Sequence, residues 1–286
     1  MSQVLVKFIR NDGREFTLNN DDWKIPSNGL EGFGDFSNDI TIVDNGIGDG
    51  GLFSSSRVPQ RDRTISAKSR NKHLAEVVRA EATSFFRPKH TYKVYLTYMG
   101  RTRWAEGVVE RFRLSTGNIH QPMELTVTLL FADPYLRSHE DFGQDIASVR
   151  GMAGFPYLCV RTQGAPAGMF NYAAMVNISN DGDIEAYCKV VFRAKGTVLN
   201  PKLIINGRYV RILDQMQDGD ITIIDFTANP PTVRKNGINI IGKCDRTSEF
   251  DNMALVIGDS TVQYDADDGT NMLSVSVYFN KLYASM

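Results

Sequence analysis

Alternation of apolar and polar residues, cut at intervals by Asn-Gly and related turn dipeptides, is the feature that most limits what this chain can become. A side chain on the same face at every second position is strand geometry, and a tight turn between two such runs pairs them antiparallel. Val4, Val6 and Phe8 alternate with polar residues, and Asn11-Asp12-Gly13 leads into Glu15 to Leu18, so the chain opens on a hairpin. Tyr92 to Met99 and Thr102 to Glu110 flank Gly100-Arg101, and Met123, Leu125, Val127, Leu129 and Phe131 alternate in turn. Beyond residue 172 the same pattern dominates: Ala173 to Ile178, Ala186 to Ala194, Lys202 to Ile205, Tyr209 to Leu213, Asp220 to Phe226, Thr232 to Lys235, Ile238 to Ile241, Met253 to Ile257, Thr261 to Tyr264 and Met272 to Phe279. Asn206-Gly207 and Asn236-Gly237 each join two of these runs, and both positions of a two-residue type I′ turn need positive φ, which Asn and Gly tolerate. Many short strands with no helix among them predict a β-sandwich for this half.

One segment departs from period two. From Ser69 to Phe86, Leu74, Val77, Val78, Ala82 and Phe85 recur at helical spacing with charged residues opposite, and Pro88 follows as a stop. This predicts one helix with its apolar stripe on a sheet. Between the opening hairpin and this helix, Pro26 to Pro59 is rich in Gly, Asn, Asp and Ser around a short strand, Ile40 to Val43. An irregular stretch of that length inside a compact domain is usually functional. The pattern pauses after Ala132-Asp133-Pro134-Tyr135, and Gly143 to Asn171 reads as loose. The expected division is therefore a β-rich domain over 1–140, with one helix, and a second over 141–286; 286 residues exceed what one core usually holds.

Composition excludes more than it selects. Neither a basic-then-apolar leader nor a bilayer-length apolar run is present, so no membrane association is expected. Cys159, Cys188 and Cys244 are too few and too scattered for a disulfide framework or a CxxC site, which predicts reduced, mostly buried thiols. A net charge of −1 offers nucleic acid no general attraction, and no specific nucleic-acid binding is expected. The charge is nonetheless segregated. Residues 11–50 hold nine acids against two bases, 2 − 9 = −7, and residues 57–79 hold seven bases against two acids, 7 − 2 = +5. Two solvated surfaces would explain this; so would two faces made for each other.

Enzyme signatures fail on context. His73, His90, His120 and His139 all precede residue 140 and lack paired ligand spacing, so neither a catalytic dyad nor a zinc site is expected. The stretch His139-Glu140-Asp141 reads as a solvated linker, because neighbours on an extended chain point apart. Gly46-Ile47-Gly48-Asp49-Gly50-Gly51 matches GxGxxG in letters, but the Ser-rich Leu52 to Pro59 follows where a nucleotide fingerprint needs a helix. It reads as a flexible loop. Asp265-Ala266-Asp267-Asp268-Gly269 lacks the bidentate Glu and flanking helices of a calcium loop and reads as a turn. Asn177-Ile178-Ser179 is a glycosylation sequon only in letters. No cofactor and no metal is expected.

The ordered series of elements resembles the distal tail protein (Dit) family of siphovirus-type phage tails. In the first half the resemblance rests on the opening hairpin, the Gly-containing stretch, Arg63-Thr64-Ile65 before the helix, Gly100-Arg101, Glu106-Gly107-Val108-Val109 and the close at Ala132-Asp133-Pro134-Tyr135. In the second it rests on Asn180-Asp181-Gly182-Asp183, Asn200-Pro201-Lys202-Leu203, Gly219 to Asp225 and Val233-Arg234-Lys235-Asn236-Gly237. The resemblance implies a mainly β protein: an N-terminal belt domain with one α-helix, and a C-terminal galectin-like antiparallel β-sandwich. It implies a homo-oligomer, a hexameric ring at the virion tail tip, assembled in the bacterial host cytoplasm. The implied partners are the tail tube protein, the tail-associated (tail-tip) protein and receptor-binding or baseplate proteins, with the tape measure protein a further candidate. Head-to-tail closure needs two complementary faces, and the segregated charges offer them: Asp35, Asp39 and Asp44 against Arg57, Arg61 and Arg63 form the candidate ring interface. Alternatively the acids line a DNA-conducting lumen. Sugar binding does not follow from galectin likeness, since residues 141–286 contain neither His nor Trp.

The competing reading is a carbohydrate-binding adhesion module of a tail or bacteriocin-like particle. A cell-wall hydrolase is a weaker alternative, in which Glu106 and Glu110 would be the acid pair.

Overall fold

The computed structural model describes residues 4–70, 75–115, 122–139, 142–145, 147–151, 168–172 and 175–286. His73, Leu74, His120, Glu140, Asp141 and Cys159 lie outside them. The protein is mainly β, and its chain forms two compact units: residues 1–139 with 282–286, and residues 140–281. The sequence division gave the last five residues to the second domain. They belong to the first because Leu282 and Tyr283 pair with a strand there, a long-range contact that no local pattern encodes.

The first unit contains β1 (Leu5–Arg10), β2 (Glu15–Leu18), β3 (Trp23–Lys24), β4 (Leu30–Glu31), β5 (Asp39–Asp44), β6 (Gly51–Arg57), β7 (Arg61–Ser69), α1 (Ala75–Phe85), β8 (Thr91–Tyr98), β9 (Arg101–Leu114), β10 (Glu124–Phe131), β11 (Leu136–Ser138) and a last strand, Leu282–Tyr283. One sheet runs β2-β1-β8-β9-β10-β7-β3, with β4 on β7 and β11 between β9 and the last strand. Every second residue along β1, β7 and β10, and along β8 as far as Leu96, is buried, as period two demands. That inner face and Val78, Ala82 and Phe85 of α1 share one core with Phe8, Phe16, Trp23, Phe86 and Tyr92. α1 is shorter than expected: Ser69 ends β7, and Val77, counted in the apolar stripe, is 63% exposed.

No basic residue stands in the last turn of α1. The buried Arg10 of β1 supplies the cation instead, donating from Nη1 to the carbonyls of Ser84 (3.0 Å) and Phe85 (2.8 Å). A cation there meets both the helix dipole and carbonyls left without helical partners. The Tyr92 hydroxyl adds a bond to the Phe85 carbonyl at 3.0 Å and accepts from the Arg87 N–H at 2.8 Å.

The second unit contains β12 (Phe142–Asp145), β13 (Ala147–Gly151), β14 (Gly168–Tyr172), β15 (Met175–Asn180), β16 (Ala186–Ala194), β17 (Val198–Leu199), β18 (Lys202–Ile205), β19 (Arg208–Arg211), β20 (Gln215–Met216), β21 (Ile221–Asp225), β22 (Thr232–Lys235), β23 (Ile238–Asn239), β24 (Ala254–Leu255), β25 (Gly258–Asp265) and β26 (Leu273–Phe279). A sheet of order β12-β26-β16-β21-β22-β23, with β24 on β16, and a sheet of order β15-β25-β18-β19 share one core. Phe192, Ile224 and Val277 enter it from the first sheet, and Ile178, Leu203, Val210 and Val262 from the second. Two antiparallel sheets over a common core form the expected sandwich. The stretch read as loose carries β12, β13 and β14; β12 is fixed by pairing with β26, far along the chain. Asn206-Gly207 and Asn236-Gly237 sit at φ 49° and 84° each, the type I′ turns the dipeptides predicted. The β8–β9 turn falls one residue earlier than the flanking runs suggested, at Met99-Gly100.

The last five residues fasten the first unit. Arg61 Nη1 donates to the Ala284 carbonyl (3.1 Å), Arg103 Nη1 to the Ser285 carbonyl, and the Met286 N–H to the Phe33 carbonyl (2.9 Å); the Arg103 guanidinium lies 3.7 Å from the Tyr283 ring centroid. Deleting residues 282–286 removes these contacts together with the pairing of Leu282 and Tyr283 to β11, an expected loss of ~3 kcal/mol or more, to be read as a lower urea midpoint for the tryptophan fluorescence of Trp23 and Trp104, both in this unit.

Candidate functional site: an exposed apolar arm

β5 and β6 pair only with each other. Every residue of both strands is exposed, and the register runs from Asp39↔Arg57 to Asp44↔Gly51 with a bulge after Thr41. The Ser-rich stretch Leu52–Pro59, read from sequence only as lacking a helix, is mostly β6. Neither face of this ribbon meets a core, so Ser54-Ser55-Ser56 shows no period-two signal for a sequence reading to find. The GxGxxG letters fall at its far end, where Asn45 N–H bonds the Gly50 carbonyl at 3.2 Å and a strand, not a helix, follows.

The arm is apolar without a core. Ile40, Ile42, Val43 and Leu52 are 53–66% exposed, Phe53 is 80% exposed, and Ile47 at the end is fully exposed. Leu52 and Phe53 are consecutive, so apolar side chains project from both faces. An isolated two-stranded ribbon is marginal in water, and soluble chains seldom leave such surface uncovered without a partner for it.

Two buried arginines hold its root. Arg61 Nη1 donates to the Asp35 carbonyl at 2.7 Å, besides that of Ala284. Arg63, 1% exposed, donates from Nε to the Gly32 carbonyl (3.1 Å) and from Nη2 to the Pro134 carbonyl (2.7 Å), between the rings of Phe33 and Phe131. Burial pulls its guanidinium down to about 10, with Arg61 beside it acting in the same sense. Gly32, at φ 79°, permits this approach: a Cβ there would lie 2.8 Å from the Asp62 carbonyl oxygen.

These positions redistribute the six residues named from sequence. Arg61 and Arg63 are interior to their own unit, each donating two bonds to backbone carbonyls, and are corrected from surface contacts to anchors; charge counting along a sequence does not see that β7 turns odd-numbered residues inward. Asp35 contributes its carbonyl. Arg57 and Asp39 pair within the arm at 3.4 Å, and Asp44 is exposed without an ion-pair partner among the described residues. Glu106 and Glu110 are both exposed on β9.

The other motifs are taken up locally. Asp267 accepts from Asn200 and Arg211, while the carboxylates of Asp265 and Asp268 accept the next N–H, so the acidic turn is internally satisfied. Among the described residues no cluster of three metal-ligating side chains occurs, and no helix is long and apolar enough to cross a membrane. Cys188 is buried, its thiol pushed up to about 12, and half-buried Cys244 up to about 11. In the second unit, a shallow cleft of about 490 Å³ is lined by Asp214, Lys235, Asn239 and Lys243. Its charges are cross-linked: Lys235 bridges Asp214 (3.3 Å) and Asp220 (3.0 Å), and Lys243 meets Asp214 at 2.8 Å.

Solved structures that share this fold over nearly the whole chain come from a phage hub protein and a phage baseplate. The Dit protein of phage SPP1, described as a paradigm of the hub adsorption apparatus in phages infecting Gram-positive bacteria, superposes on 97% of this chain over 98% of its own, with a TM-score of 0.68 at 11% identity. A chain of the phage p2 baseplate in its activated conformation with Sr covers 99% of this chain and 100% of its own, with a TM-score of 0.50 at 9% identity. The chain therefore has the Dit fold. No protein-family model and no curated protein sequence matches it.

Two outcomes follow. Arg63→Met keeps the volume but strands the Gly32 and Pro134 carbonyls, at a cost of about 2 kcal/mol or more measurable by urea denaturation; Arg57→Met, on the solvated arm, changes the midpoint little. Asp220 is held down to about 2 by the Gln217 N–H first, then Asn236 and Lys235. A carboxylate depressed in the fold stabilises above its unfolded pKa of about 3.9 and loses that contribution as pH falls toward 2. Asp220→Asn is expected to flatten the fall in melting temperature across that window.

Proposed function

We propose that the chain is a structural hub of a phage tail tip, a distal tail protein that closes into a hexameric ring in the virion. In this reading it joins the tail tube to the tail-associated protein and carries receptor-binding or baseplate components, and it acts by contact rather than by catalysis. Likeness of fold along nearly the whole chain supports the class. The observation that carries self-assembly is the arm: a ribbon with apolar side chains on both faces and no core of its own. A second copy supplies the missing cover in a head-to-tail contact, which closes into a ring when the rotation permits. The ring-interface residues reduce to Asp39, Asp44 and Arg57 on the arm, with Arg61 and Arg63 setting its direction from within.

The test is negative-stain imaging with sedimentation velocity on the full chain. Wild type is expected to form closed rings. Phe53→Asn, on an exposed site, is expected to leave the circular dichroism spectrum unchanged and to weaken assembly by ~10-fold or more, the effect of losing a central apolar anchor. Unaltered rings in that variant would remove the arm from the interface.

A further inference from the structure

We propose that the tip of the β8–β9 hairpin, Tyr98-Met99-Gly100-Arg101, is the surface that receives the arm of a second copy of this chain. The proposal rests on the self-assembly reading above and names the other half of that contact.

One residue at this tip is not favoured by folding alone. Met99 and Gly100 occupy φ 49° and 78°, nearly the same turn as Asn206-Gly207 and Asn236-Gly237, at 49° and 84°. In those two turns the strained first position is Asn, whose short polar side chain suits the left-handed region. Both Asn side chains also work there: Asn206 Oδ1 accepts from the Thr261 N–H at 2.9 Å, and Asn236 Oδ1 from the Ile221 N–H at 2.9 Å. Methionine brings no such bond and stands 66% exposed, beside Tyr98 at 39%. A flexible, polarizable apolar side chain raised on a strained turn into water is the kind of residue found at adaptable contacts.

The charge next to it selects the occupant. Arg101 pairs with Tyr98 in the register that closes the turn, is exposed, and has no carboxylate partner among the described residues. The tip thus presents two apolar side chains and one free cation. The arm presents the complement: Ile42, Val43, Leu52 and Phe53 alongside Asp44 and Asp49, neither of which has an ion-pair partner among the described residues, whereas Asp39 is taken by Arg57. Opposite charges left over beside apolar surface on two separate elements of one chain fit a head-to-tail contact, in which the two faces differ.

The experiment measures self-association of the full chain by sedimentation and stability by thermal melting. Met99→Asn is expected to raise the melting midpoint by about 2 °C while weakening association ~10-fold. Arg101→Glu is expected to weaken association as well, and Arg101→Glu combined with Asp44→Arg to restore it to within about threefold of wild type. If Phe53→Asn disrupts assembly while Met99→Asn and Arg101→Glu leave it unchanged, the arm keeps its role and the tip loses its own. If none of the three alters association, or the wild-type chain stays monomeric at every concentration, both fall. A lower melting midpoint for Met99→Asn would overturn the premise that the turn prefers Asn.

Discussion

Placing arginine where water cannot reach it is the constraint around which the first unit is arranged. A buried guanidinium carries five donors, and each must find an acceptor or cost stability. Arg63 and Arg61 meet this in part, with backbone carbonyls from distant segments: Gly32 and Asp35 before the arm, Pro134 where the sheet closes, and Ala284 near the end of the chain. Arg61 Nε and Arg63 Nη1 remain buried without a bond, so the network is under-satisfied as well as central. Apolar residues could fill the same space, but they would not select one position for three separate pieces of backbone. Arg10 does similar work at the end of α1. Direction for an unsupported ribbon comes from beneath it, from these cations.

Where the sequence was legible, local chemistry decided the outcome. The two Asn-Gly turns, the boundaries of β16, β18 and β22, and the buried face of β10 follow from backbone preference and period two, which depend only on near neighbours. The helix was legible in kind but too long at its start, because the polar run from Ser69 to His73 carries no apolar period that would mark where strand gives way to helix. The segment opposite α1 that caps it, Arg10, gave no signal: a charged residue at a strand end looks solvated until the helix is seen above it.

The arm shows the other limit. Its strands bury nothing within the chain, so alternation, the signal used everywhere else, is missing, and β6 carries no mark of a strand. Charge segregation did point to this region, yet through the wrong atoms. Of the residues singled out, Arg61 and Arg63 act inward and Asp35 acts through its carbonyl, leaving Asp39, Asp44 and Arg57 at the surface. One-dimensional charge counting finds a neighbourhood, while the sheet's alternation decides which members of it face out. Met99 carries no signal in the sequence for a different reason: its oddity is a dihedral angle, which only the backbone shows.

The chain leaves the first unit after His139 and re-enters it at Leu282, and the two crossing points are adjacent because Arg137 is paired with Leu282 and Leu136 with Tyr283. Whatever pulls on residues 140–281 therefore pulls on both members of an antiparallel pair at the same end and in the same sense. Neither strand is dragged along the other; the load passes through β11 into β9 and, through the carbonyls of Ala284 and Ser285, into Arg61 and Arg103. A single linker would concentrate such a pull on one strand end. Two parallel leads also make the inserted unit exchangeable: a different domain whose termini lie one strand spacing apart could be spliced between the same two residues with the host sheet left as it is.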